Sequence, residues 1–196
     1  MKYLIIIVSI FFTTTASSQD FSTDIANAKT TYSAGKLEEA HFALLQAMQE
    51  IDIIIGKKVL ELLPPKMDTF QVNTKDDNVL SNAGFMGSTI HRTYGLNSEV
   101  DLSIIGNSPL ISSLNALLNM PMSGMMSNNG NNKIIKVQGY KGRLTRDDES
   151  DGKTNYTMQI PLGSSLVTFT AKNTTDTQIT KWANTLPLQD IAKLLQ

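Results

Sequence analysis

Glu99-Val100-Asp101-Leu102-Ser103-Ile104-Ile105 alternates polar and apolar side chains almost residue by residue. In an extended chain Val100, Leu102 and Ile104 fall on one face and Glu99, Asp101 and Ser103 on the other, the pattern of a sheet with one wet face. Just before it, Gly95-Leu96-Asn97-Ser98 has the composition of a hairpin turn, which pairs this strand with Met86 to Tyr94. Further back, Phe70 and Val72 suggest one short strand more. Downstream, Ser108-Pro109 opens a helix, with serine as cap and proline in the first turn. Leu110, Ile111, Leu114, Leu117 and Leu118 give that helix a single apolar stripe.

The period of two then returns. Lys133 to Gln138, Tyr140 to Arg146, Thr154 to Ile160 and Ser165 to Ala171 read as strands, with Asp147 to Gly152 as a turn. A closing helix starts near Asp176 and carries Ile179, Trp182, Ala183 and Leu186. Pro187 interrupts it, and Leu188, Ile191, Leu194 and Leu195 form a last amphipathic turn or two.

Before Pro64-Pro65 the period is helical. Ala26, Ala28, Tyr32, Leu37, Ala40, Leu44, Ala47, Met48, Ile51 and Ile55 recur at three- and four-residue steps. Gly35 breaks the run as a tight turn between antiparallel helices. Gly56 interrupts the second helix, and the prolines end it, because a residue before proline disfavours helical geometry. Strands clustered in runs argue for an α+β fold. The expectation is an N-terminal helical hairpin (19–63) packed with a largely antiparallel sheet of about six to seven strands and two further helices (66–196). All helices would lie on one face, and the two parts would form one compact unit.

The first eighteen residues read as a leader. Lys2 precedes the apolar run Tyr3 to Phe12 and the small polar stretch Thr13 to Ser18, with Ala16 and Ser18 at −3 and −1 of a cleavage that leaves Gln19 first. That run is too short for a membrane anchor and fits a secretory signal peptide. Export into a bacterial periplasm follows, and no second segment of the mature chain reaches membrane-spanning length. The chain has no cysteine, so it forms no disulfide and carries no thiol for lipid attachment. Lys+Arg (17) and Asp+Glu (18) nearly balance, with no basic run longer than Lys57-Lys58, which argues against nucleic acid as a partner. Asn155-Tyr156-Thr157 and Asn173-Thr174-Thr175 would be glycosylation acceptors in a eukaryote.

Two resemblances are carried by particular residues. Ala28, Gly35, Leu37, Ala40, Leu44 and Ala47 fall at the spacings of one tetratricopeptide unit, although Asp52 stands where that family has proline and no second copy follows. Leu62-Leu63-Pro64, the Ser108 to Ile111 helix start and the Val137 to Lys141 hairpin together resemble an uncharacterised family of secreted bacterial proteins. The order of sheet and helices is also similar to PsbP-like domains, which implies a small non-catalytic protein of an exported compartment. Neither resemblance supplies a catalytic residue.

The inventory for chemistry is thin. Nucleophilic catalysis needs a base beside the nucleophile, and the chain has only His41 and His91. His41 reads as a rim residue; His91 faces water if Ile90 faces the core. Met120, Met122 and Met125 are soft ligands at spacings that would suit Cu(I), but no His or Cys stands with them. A linker covering apolar surface explains the same methionines. Asp147, Asp148, Glu149 and Asp151 crowd one turn without the alternating register of a calcium loop. Glu99 and Asp101 are conceivable carboxylates for a hydrolase, though they lie where solvated residues belong. No catalytic set, cofactor site or defined metal site is implied. The expected function is a soluble exported protein that acts through binding or envelope maintenance, its partner an unknown protein or a small hydrophobic ligand. A carrier of a lipophile or Cu(I), and a carboxylate-only hydrolase, are the alternatives.

Overall fold

The computed structural model describes residues 21–82, 86–119 and 131–195. The expected leader and its expected cleavage site lie outside them. Two helices come first, α1 (Phe21–Ser33) and α2 (Leu37–Leu62). Gly35 turns between them at φ +74°, a left-handed geometry that glycine adopts without a Cβ penalty, while Lys36 N–H reaches back to Thr31 O. Gly56 does not end α2. It is buried inside the helix, and a Cβ there would run into Val79 and Ile90 of the sheet, so the glycine marks the closest approach of helix to strand.

The sheet holds eight antiparallel strands, not the six to seven expected. They are β1 (Lys66–Met67), β2 (Phe70–Asn82), β3 (Met86–Tyr94), β4 (Val100–Ile105), β5 (Asn132–Val137), β6 (Tyr140–Asp148), β7 (Thr154–Leu162) and β8 (Ser165–Ala171). Their order, β1-β2-β3-β4-β8-β7-β6-β5, is two four-stranded meanders joined where β4 pairs with β8. The difference from expectation lies at the first edge. The two-residue β1 is too short to show a period, and β2 runs on from Phe70 through a polar stretch that reads as loop. Pairing with β3 holds that stretch extended: Asn73 pairs Thr93 and Asn78 pairs His91, so Thr74 to Asp77 bulge opposite Arg92.

Among the described residues three more helices follow or interrupt the strands: α3 (Leu110–Asn119), α4 (Asp176–Ala183) and α5 (Leu188–Leu194). Pro187 separates the last two. Thr175 caps α4 by accepting from Gln178 N–H. One face of the sheet carries the main core. Ile90, Tyr94, Val100, Leu102, Ile104, Met158, Ile160, Val167 and Phe169 pack there with Val59 of α2, Ile179 and Trp182 of α4, and Leu188 and Ile191 of α5. The expectation that all helices share this face is corrected by α3. Its Ile111, Leu114 and Leu118 pack on Leu166 and Ile134 in a separate, smaller cluster. Adjacent strand residues point to opposite faces, so Leu166 turns away from the Val167 that serves the main core. Among the described residues no helix is long and apolar enough to cross a membrane.

The junction of α2 with the sheet is polar and satisfied. Arg92 lies on the core side, where its Nη1 donates to Leu60 O at 2.8 Å and joins the Leu63 N–H as a second donor to that carbonyl of the helix end. Tyr94 is fully buried beside it and donates from its hydroxyl to Pro64 O. Burial pushes its phenol up to about 12.

Candidate functional site: the apolar flank of the helical hairpin

Two kinds of apolar residue recur along the hairpin, and they part company in three dimensions. The small ones form the seam. Ala28 of α1 and Ala40, Ala43 and Ala47 of α2 are buried, which lets the two helices approach closely. The large ones stay outside: Leu44 is 47% exposed and Met48 53%, with Phe21, Ile25, Tyr32, Leu37 and Ile51 also exposed. An ordinary amphipathic hairpin buries the large side chains. This one does the reverse.

Helical phase gathers those seven residues into one patch. At 3.6 residues per turn, Leu37, Leu44, Met48 and Ile51 lie about a quarter turn to one side of the alanine seam on α2. Phe21, Ile25 and Tyr32 lie a similar angle from the seam on α1. Because the helices run antiparallel, both sets fall on the same side of the hairpin. From their fractional exposures they present on the order of 700 Å² of accessible surface, above the largest apolar patch of a typical monomer. Phe42 and Ile54 are exposed elsewhere on α2. Asp24 is buried in α1, and neither of its carboxylate oxygens has a hydrogen-bond partner.

The second surface with chemistry is the wet face of the sheet. Ile90 does face the core, and His91 does face out. Its Nε2 lies 2.8 Å from Asp101 Oδ2 and its Nδ1 3.4 Å from Asp76 O. Partial burial works against the charged imidazolium, but the hydrogen bond and charge of Asp101, with help from Asp76, outweigh it and hold the His91 pKa above its ordinary value. Asp76 in turn accepts from Thr93 Oγ1 and Asn73 Nδ2. The β2 bulge thus sends two neighbouring carboxylates to opposite faces, Asp76 towards His91 and Asp77 towards Arg92. Ser103 sits opposite His91 on the next strand. Both imidazole nitrogens are already engaged, so the ring has no free position from which to take a proton from that hydroxyl.

The remaining candidates fare as follows. His41 is exposed on α2. Glu99 caps its own turn: Oε2 accepts from Asn97 N–H and Oε1 from Asn97 Nδ2, and hydrogen bonds to backbone N–H groups lower its pKa. Glu99 and Asp101 therefore do not converge as an acid–base pair. The acidic turn is the tip of the β6–β7 hairpin. There Asp148 accepts from Arg146 and Thr154, Glu149 from Asn155, and Asp151 from Lys153. Among the described residues no three His, Asp or Glu are grouped to hold a metal ion. Met120, Met122 and Met125 lie outside the described residues. An open groove of about 590 Å³ at one end of the sheet is lined by Phe70, Val72, Leu96 and Glu99, among others.

In the sequence Tyr32, Leu37, Leu44, Met48 and Ile51 share one helical period with Ala28, Ala40 and Ala47, and that period does not say which of the two sets is buried. The signal that could have separated them was residue size, since the alanines offer the closer approach. Compared with known protein families, curated proteins and solved structures, the chain matches none.

Proposed function

We propose that this is an exported, non-catalytic α+β protein that works by binding, and that the apolar flank of its hairpin is the contact surface. The flank carries the reading. The apolar part of that ~700 Å² represents on the order of 15 kcal/mol of unrealised transfer free energy, enough to offset much of the ~4–15 kcal/mol cost of association. Export rests on the opening leader, and a periplasmic site follows from it. The carrier alternative would need room for a lipophile, and the side chains between sheet and helices fill that space: Phe169, Met158, Ile160 and Ile179 are all fully buried. The hydrolase alternative would need Glu99 and Asp101 to act together, whereas each is engaged with a neighbour in the fold.

Native mass spectrometry of the protein purified from its own compartment tests this reading. The expected species begins at Gln19, carries no lipid or copper mass and belongs to a macromolecular complex. A monomer with a lipid-sized or copper adduct would move the assignment to a carrier. A species that keeps residues 1–18 inside the cell would remove export.

A further inference from the structure

We propose that the flank is covered by a second copy of this chain, α2 packing antiparallel on α2 of the partner subunit with the α1 residues closing over the sides. The inference rests on the flank being a contact surface and adds the identity of its occupant. Three observations carry it.

The first is spacing. Leu37, His41, Leu44, Met48 and Ile51 follow one another at alternating steps of four and three, the 3.5-residue repeat of a coiled-coil seam. A helix with that seam is the complement of another like it. Run antiparallel, the repeat brings Leu44 against Met48 of the partner subunit, and Ile51 against His41 of the partner subunit. The second is charge. His41 is the one ionisable member of that series, so two identical flanks meet without opposing like charges. The third is area. About 700 Å² on each copy amounts to roughly 1,400 Å² in total, inside the range of a standard stable interface. A two-fold pair uses the same patch on both subunits and closes upon itself, so nothing apolar is left over.

The absence of native cysteine makes the test clean. The chain from Gln19 is examined by sedimentation, together with the variants Leu44→Cys, Met48→Cys and the double substitution Leu44→Glu/Met48→Glu. The expected native species has twice the chain mass at ~10 µM, within the micromolar-to-picomolar range of interfaces this size. The double glutamate variant sediments as a folded monomer, its circular dichroism unchanged. Mixed in equal amounts under mild oxidant, the two cysteine variants cross-link at least tenfold faster than either alone, because the antiparallel register opposes position 44 to position 48. This mixture keeps the test decisive should the glutamate variant fail to fold.

A native monomer at ~100 µM overturns the proposal, since a standard interface of this size would hold at that concentration. So does a dimer that survives both glutamates, or one in which each cysteine variant cross-links best with itself. An apolar dye separates this failure from failure of the underlying reading. A monomer whose flank binds dye, and loses it on Leu44→Glu/Met48→Glu, hands the flank to another protein's helix. Dye binding that appears only once residues 1–18 are absent hands it to the chain's own opening segment. A monomeric flank that takes no dye in either form removes the contact surface itself.

Discussion

Arg92 grips Asp77 with two parallel hydrogen bonds, Nε to Oδ1 at 2.8 Å and Nη2 to Oδ2 at 2.5 Å, at the point where α2 meets the sheet. Both side chains are largely buried, at 9% and 17% exposure, and the hydrogen bonds and charge of Asp77 raise the guanidinium pKa against the cost of burial. The pair joins three elements, because the same guanidinium donates to Leu60 O of the helix. Replacing Asp77 with alanine strands a buried cation. Urea denaturation should show a loss of about 3 kcal/mol. A loss under about 1 kcal/mol would mean that water already reaches the pair.

Gly56 lets α2 touch the sheet. Gly56→Ala improves intrinsic helix propensity by about 1 kcal/mol, yet the new methyl meets the stiff, β-branched Val79. Overpacking of about 1–3 kcal/mol should win, lowering the unfolding midpoint. Adding Val79→Ala should recover part of the loss. A double-mutant cycle with no coupling between the two positions would show that helix and strand do not meet there.

His91 makes stability depend on pH. Its folded pKa lies above its unfolded value, so the His91–Asp101 contact contributes fully below pH about 6.5 and is lost as pH rises through the folded pKa. The stability difference between the native chain and His91→Gln should therefore shrink from pH 6 towards pH 8, read from urea midpoints at each pH. A difference that grows with pH would mean that the ring is neutral in the fold. The side chain is 35% exposed, so the effect is small.

The acidic hairpin tip should ignore calcium. Asp148, Glu149 and Asp151 already accept hydrogen bonds from neighbours in the same turn. Thermal unfolding with and without millimolar calcium should give the same midpoint; a rise of several degrees would reveal binding to the native state.

Much of this fold is legible in the sequence, and the illegible parts share a cause. β4 and β7 declare themselves most plainly, because each alternates between a buried and a half-exposed face. β2 does not: Asn73-Thr74-Lys75-Asp76-Asp77-Asn78 has the composition of a loop and is held extended only by pairing with β3. The apolar stripe of α3 is equally plain, but a stripe says that a helix packs, not on which face of a sheet. In the hairpin, the alanines and the large residues both recur at three and four. Periodicity finds both ridges, and only the approach of α1 to α2 decides which is buried. Of the candidate site, the residues were legible and their exposure was not.

Ala43 and Leu44 stand side by side in α2, the first with 0% exposure and the second with 47%. Urea unfolding of Ala43→Leu and Leu44→Gln, at protein concentrations low enough to keep the chain monomeric, sets seam against flank. Enlarging the seam alanine should cost about 1–3 kcal/mol. Exchanging the flank leucine should cost no more than about 0.5 kcal/mol. If Leu44→Gln instead costs about 2–5 kcal/mol while Ala43→Leu is tolerated, the large residues are core and the hairpin has no open flank to offer.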